Sequence, residues 1–378
     1  MKVFKIAALP KGFKANGIAC GLKKSGKLDL ALFYSEIPAK GACKFTTNKI
    51  QAAPLKISKK HLGLSRQFQA IIVNSGNANC FTGPAGLRDA DETVKAVSRA
   101  LGLKKESVLI NSTGVIGKRL KVAKIKKVIP GLVAGLSKGG INKAKKAIMT
   151  TDLFAKEITV KANMGNRVVT ISGVAKGAGM IAPNMATMLA FIFTDANISG
   201  GALKKALDSC VDNSFNCITV DGCMSTNDSV MALANGAAGN RLIDKGNDFN
   251  AFTKALGFVC LGLAKMIVRD GEGASKFIKI KVRGAKNFKE ARIAALSIAN
   301  SNLFKTAMFG ENPNFGRIAA AVGASGIDIR EEDFGTKVSP LDKKDINVEV
   351  FLNRGKAGAT VYTSDLTPEY IKINAQYN

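Results

Sequence analysis

The chain has 378 residues, of which 46% are hydrophobic and 22% charged, and its formal net charge is +28. This composition excludes wholesale disorder, the length suits two or three packed units, and no run approaches the roughly eighteen apolar residues of a membrane span. A field this basic attracts nucleic acid, anionic membrane or small acidic substrates, but the lysines are spread along the chain and aromatics reach only 6%, with no tryptophan. No stacking platform for bases is built, so neither a nucleic-acid nor a membrane partner is expected.

From the N-terminus, Met1 to Gly12 holds lysines around a few apolar residues and then Pro10, too short an apolar region for a secretory signal, so a cytoplasmic protein is expected. Ala70 to Val73 reads as a short buried strand. Asp89 with Glu92 three positions on predicts a capping box, followed by Val94, Val97 and Leu101 on one helix face and a stop at Gly102. Val108-Leu109-Ile110 predicts a strand that gives way to a polar turn, Asn111-Ser112-Thr113-Gly114-Val115-Ile116-Gly117. Its hydroxyl and N–H groups suit a developing oxyanion, and equally a capped turn before the helices of the lysine-rich stretch Lys118 to Lys146.

Glu157 to Ala162 and Arg167 to Val174 flank Met164-Gly165-Asn166 and predict a hairpin, and Met188 to Phe193 predicts a buried strand. Phe249, Phe252, Leu256, Val259, Leu263 and Met266 recur at three and four positions, predicting a long core helix that ends at Asp270-Gly271. Near the end, Ile346, Val348, Val350 and Leu352 alternate with polar neighbours, and Ala359 to Tyr362 follows Arg354-Gly355, predicting a second hairpin. Strands and helices are thus mixed, and the hairpins argue against a purely parallel sheet.

The seven cysteines show no Cys-x-x-Cys spacing, and His61 is the single histidine, so no metal site and no Ser-His-Asp triad are expected. Any nucleophile needs another base. Within Lys176 to Leu189, Gly177, Gly179 and Ala182 fit a dinucleotide-binding G-x-G-x-x-A, but Pro183-Asn184 stands where that motif needs a helix to begin. What remains is a glycine-rich turn leading to Ala186-Thr187 at the mouth of an apolar strand, a geometry suited to an N-to-O acyl shift. If the Ala186-Thr187 bond is cut, Thr187 gains an α-amino group of pKa about 7.7 to 8.0, and base and nucleophile then belong to one residue. By local chemistry alone an ordinary strand threonine is the commoner case. Thr150-Thr151-Asp152, Arg269 to Lys276 and Asn374 are further candidates.

Together these segments resemble the glutamate N-acetyltransferase/ornithine acetyltransferase family of arginine biosynthesis. The resemblance spans the chain and keeps one order: Pro10 to Phe13, Val73 to Asn79, Ser112 to Gly117, Thr150 to Asp152, Lys176 to Leu189, Thr219 to Gly222 with Ser225 to Asp228, Arg269 to Phe277, Asn312 to Arg317, and Lys372 to Ala375. It implies a mixed α/β fold, a layered α/β/β/α core with a smaller α+β C-terminal domain. It implies self-cleavage into an α chain, 1–186, and a β chain, 187–378, of which 187–276 completes the core and 277–378 forms the C-terminal domain. The implied activity is acetyl transfer from N-acetylornithine to glutamate through an acyl-Thr187 ester, in a ping-pong cycle.

The resemblance further implies that Thr113 and Gly114 supply the oxyanion hole, and that Thr150 or Thr151, Lys176, Thr187, Glu272 and Asn374 contact the amino-acid substrate. Two α and two β chains would pair as a heterotetramer. No coenzyme A motif is present and no cofactor is expected; acetyl-coenzyme A enters only as a second acetyl donor. Two departures stand out: members usually carry a further hydroxyl residue shortly after the asparagine matched by Asn374, and often tryptophan where Phe315 stands. The competing readings are an aminopeptidase or amidase of the same fold, and a basic nucleic-acid-binding protein.

Overall fold

A computed structural model describes residues 1–182 and 188–376, which fall into two compact units. The first comprises residues 1–177, 188–214 and 225–263; the second comprises 178–182, 215–224 and 264–376.

Among the described residues of the first unit are nine strands: β1 (Lys2–Phe4), β2 (Phe13–Ile18), β3 (Leu30–Phe45), β4 (Phe68–Asn77), β5 (Val108–Val115), β6 (Lys156–Met164), β7 (Arg167–Lys176), β8 (Leu189–Thr194) and β9 (Ser229–Ala234). Strand β3 is the hinge of the architecture. Its first half pairs antiparallel with β2 and β4, a register break follows between Tyr34 and Ala39, and its second half pairs antiparallel with β9. One strand therefore serves two half-sheets, β2-β3-β4-β5 on one side and β3-β9-β8-β7-β6-β1 on the other. Pairs β4/β5 and β8/β9 are parallel and the rest antiparallel, as the predicted hairpins require.

Alternation along each strand assigns its side chains to different layers. Ala31, Phe33, Ile71, Val73 and Leu109 meet Val174, Leu189, Phe191, Phe193, Met231 and Leu233 from the other half-sheet in one buried cluster. Phe33 lies 5.2 Å from Phe191 and 5.0 Å from Phe193, ring to ring, so aromatic packing joins the two faces. Leu30, Leu32, Ala70, Ile72, Val108 and Ile110 point the opposite way, against α2 (Gly83–Leu101) and α3 (Val122–Ala134), while α1 (Ala53–Leu64) and α4 (Ile141–Ala147) complete that half of the unit. On the far side run α5 (Gly200–Asp212) and α6 (Gly246–Arg269). Val259 and Leu263 of α6 come so close to Gly173 of β7 that any Cβ there would press on them. The layers are helix, sheet, sheet, helix.

Helix α6 is long and apolar enough to cross a membrane, but half of its apolar window is buried within the protein, as for a core helix. Lysines 121, 124, 126 and 127 are exposed while Ile125, Ile129 and Leu132 are buried, so the lysine-rich stretch is a solvated helix face.

In the second unit β10 (Phe277–Ala285), β11 (Gly335–Val338), β12 (Asp345–Phe351) and β13 (Ala357–Ser364) form a sheet in the order β11-β12-β10-β13. Helices α7 (Phe288–Asn300), α8 (Asn302–Phe309) and α9 (Gly316–Gly323) cover its buried face, and α10 (Pro368–Ala375) ends the described chain.

Three expectations need correction. The helix ending at Gly102 begins at Gly83, and Asp89 lies inside it, its carboxylate accepting from Arg119 Nε at 3.0 Å instead of capping an N-terminus. Strands β12 and β13 are not a hairpin, because β10 pairs parallel with β12 and antiparallel with β13 and so separates them. Residues Asn111 to Val115 are not a turn but continue β5 alongside β4. In each case a partner distant in sequence outweighed a local signal.

Phe33 is 1% exposed and touches both half-sheets. Phe33→Ala in an uncut Thr187→Ala background is expected to lower the unfolding free energy by about 3–5 kcal/mol, read as a lower urea midpoint.

Candidate active site

The carboxyl ends of β5 and β7 bring polar groups together inside the first unit. Lys176, the last residue of β7, is 2% exposed, and its Nζ donates to Thr113 Oγ1 at 3.2 Å. An ammonium can only donate, so the threonine oxygen accepts and its own proton remains to be donated onward. Gly114 follows with φ +129°, and a Cβ there would overlap the backbone of Gly76 and Asn77 where β4 and β5 shift register. Only glycine allows the strand ends to approach this closely. Around them Ser112 Oγ donates to Asn74 Oδ1 at 2.5 Å, and Asn227 Nδ2 donates to the carbonyls of Ser112 at 2.8 Å and Ala78 at 2.7 Å.

Asp152 offsets the buried positive charge. Its carboxylate is fully buried, pairs with Lys156, and accepts the N–H groups of Gly177 at 2.7 Å and Thr150 at 2.8 Å. Burial alone would raise this carboxyl, but the nearby Lys176 and Lys156 and the Gly177 N–H outweigh it and hold the group at about 2. A cavity of about 640 Å³ opens here, lined by Thr150, Asp152, Lys23, Lys27 and Lys146 among others. Thr150 lines it; Thr151 is half-buried and does not. Burial brings Lys23 down to about 8, against the pull of Asp29 and with the help of Lys176.

In the second unit, Glu272 and Asn374 meet: Asn374 Nδ2, on α10, donates to Glu272 Oε2 at 2.9 Å. The Glu272 carboxylate occupies the space that a Cβ on Gly179 would fill, which gives the glycine-rich segment a physical purpose unrelated to phosphate. Residues 178–182 are pinned on several sides. The Glu272 N–H donates to the Ala178 carbonyl at 2.9 Å, the Val220 N–H to the Ile181 carbonyl at 2.8 Å, and the Met180 and Ile181 N–H groups to the Asp221 carboxylate at 2.6 and 2.9 Å. Tyr370 Oη donates to the same carboxylate at 3.2 Å.

Ala186 and Thr187, the expected cut and nucleophile, lie outside the described residues. Of the other expected residues, Thr113, Gly114, Thr150, Thr151 and Lys176 fall in the first unit, Glu272 and Asn374 in the second. Asp152 was read only as one member of a motif, and Asp228 likewise. Asp228 is fully buried, and its Oδ1 accepts the Met188 N–H at 3.1 Å, yet its Oδ2 has no partner among the described residues. The apolar run of β8 was visible, but its parallel neighbour β9, forty residues on, had no local signature. His61, the single histidine, is buried, and its Nδ1 donates to the Val108 carbonyl at 2.7 Å. It ties α1 to β5 and takes no part in either cluster.

An enzyme core of α/β/β/α layers with a lysine–threonine–aspartate cluster at its strand ends is the class these observations define. The model of the ArgJ family matches residues 14–339 and 332–378. The arginine biosynthesis bifunctional protein ArgJ of Geobacter sulfurreducens is 46% identical, over 97% of this chain and 99% of that protein. Its counterpart in Dehalococcoides mccartyi is 48% identical, over 97% of this chain and 96% of that one. A solved structure of ornithine acetyltransferase complexed with ornithine, from Mycobacterium tuberculosis, is 37% identical, covering 48% of this chain and 97% of its own at a TM-score of 0.45. The chain belongs to the ArgJ family.

The Asp152 carboxyl, lowered from an ordinary 3.8 to about 2, contributes stability that is present above pH 4 and lost as pH falls toward 2. Lys156→Met removes a partner that lowers this carboxyl, so acid unfolding followed by circular dichroism should begin at higher pH than in the parent protein.

Proposed function

We propose that this chain is a self-processing ornithine acetyltransferase, moving acetyl from N-acetylornithine to glutamate in arginine biosynthesis. The observation that carries the reading is near-full-length identity, 46% over 97% of the chain, with a protein named for bifunctional arginine biosynthesis. It is an acyltransferase that needs no cofactor. The word bifunctional in its relatives' names favours acetyl-coenzyme A as a second donor, making glutamate N-acetylation a second activity.

Cleavage between Ala186 and Thr187 frees the Thr187 amine, which takes the hydroxyl proton as Oγ attacks the acetyl carbonyl of N-acetylornithine. The oxyanion so formed is held by the Thr113 hydroxyl and the Gly114 N–H; each such donor contributes about 3–4 kcal/mol. Support comes from the Lys176 bond to Thr113, which polarises that hydroxyl and leaves its proton to donate. Collapse expels ornithine with a proton from the Thr187 amine, leaving an acetyl-threonine ester, and the glutamate amine then reverses the steps.

Lys176 suits the substrate α-carboxylate by charge, and Thr150 lines the adjoining cavity. Glu272, oriented by Asn374, suits the α-ammonium group. The α chain 1–186 and β chain 187–378 stay together, two of each, in the cytoplasm.

Intact mass of the purified protein should give fragments of residues 1–186 and 187–378, and Thr187→Ala should give one uncut chain without acetyl transfer. Active wild-type material that is a single polypeptide would overturn the reading. Transfer should follow ping-pong kinetics, with parallel double-reciprocal lines for N-acetylornithine and glutamate. Release of acetate at the same rate without glutamate would instead point to a hydrolase.

A further inference from the structure

Asp228 stands just before β9, level with Met188 on the parallel neighbour β8. Its Oδ1 accepts the Met188 N–H at 3.1 Å, and the Ser229 N–H donates back to the Met188 carbonyl at 3.3 Å. The Met188 nitrogen is bonded directly to the Thr187 carbonyl carbon, so this carboxyl is tied to the residue on which cleavage turns. It is 0% exposed, and its Oδ2 has no partner among the described residues. A group needed only to anchor β8 would use one acceptor; a whole carboxyl with a spare buried oxygen is costly and calls for a use.

Burial drives the Asp228 carboxyl well above its ordinary range, against the opposing effects of Met188 N–H, Lys176 and Ser225. The charged group facing it is the Lys176 ammonium at the end of β7, with Asp152 and Lys156 grouped around that lysine. A neutral acid therefore lies beside the residue whose nitrogen must leave the Ala186 carbonyl as an amine. That nitrogen cannot leave without a proton.

We propose that Asp228 is the proton relay of self-cleavage, giving its Oδ2 proton to the departing Thr187 nitrogen and recovering one from the Thr187 hydroxyl. Thr187 Oγ forms a bond to the Ala186 carbonyl carbon, and the bond from that carbon to the Thr187 nitrogen breaks. The nitrogen gains the proton of Asp228, and the hydroxyl proton replaces it, so the carboxyl ends as it began. Water then hydrolyses the ester, its oxygen going to the Ala186 carboxyl and a proton to Thr187 Oγ. The inference rests on the reading of the chain as self-cleaving at Ala186-Thr187.

The test follows cleavage of freshly translated chains by intact mass, for wild type, Asp228→Asn and Thr187→Ala. Asparagine keeps the shape and the acceptor for Met188 N–H but has no acid proton to give. Asp228→Asn should be cut roughly 100-fold more slowly or worse, while its urea unfolding matches that of uncut Thr187→Ala. In a second measurement, wild-type cleavage should slow as pH rises and the acid form of Asp228 is lost. Residual cleavage of Asp228→Asn should lack that fall. If wild type is cut and Asp228→Asn is cut as fast, or if wild-type cleavage only accelerates with pH, the relay is wrong and self-processing stands. If wild type is never cut, self-processing and the relay fall together.

Discussion

A lysine ammonium held 2% exposed beside a threonine hydroxyl is an expensive arrangement, and much of the first unit is organised around making it tolerable. Asp152 supplies the opposing charge, and itself requires two backbone N–H groups and a second buried lysine to remain ionised. The result is a closed electrostatic group at the ends of strands that come from distant parts of the chain. Removing any one member leaves another charge buried without compensation, so the cluster is rigid. Rigidity is what an oxyanion donor needs, because donors already in place need not reorganise when charge develops.

The sandwich beneath it fixes where those strand ends lie. Strand β3 passes from one half-sheet to the other, and Phe33, Phe191 and Phe193 lock the inner faces together. With both faces of β4 and β5 buried, register is pinned by every side chain along them, since a slip of one residue would exchange the two cores. Thr113 and Gly114 inherit that precision as the last residues of β5.

The glycines and acids flanking residues 183–187 have comparable physical explanations. On one flank, Gly179 makes room for the Glu272 carboxylate, and Asp221 gathers the N–H groups of Met180 and Ile181. On the other, Asp228 holds Met188. A G-x-G-x-x-A pattern, which in another setting would cradle a pyrophosphate, here lets a carboxylate approach a backbone. The same residue types serve opposite charges, and only the neighbours reveal which.

The sequence by itself determined the alternating strands, the three-and-four stripe of α6, the stop at Gly102 and, through the order of its motifs, the family. These depend on periodicity and on local backbone chemistry, which are properties of contiguous residues. The tertiary structure decided that β10 lies between β12 and β13, that Asn111 to Val115 is strand, and that Asp89 pairs with Arg119 inside a helix. It also decided that Asp152 serves Lys176 and that Asp228 sits against Met188, forty positions away. Pairing between strands and the burial of a charge are set by partners far along the chain, and no local pattern encodes which partner will arrive.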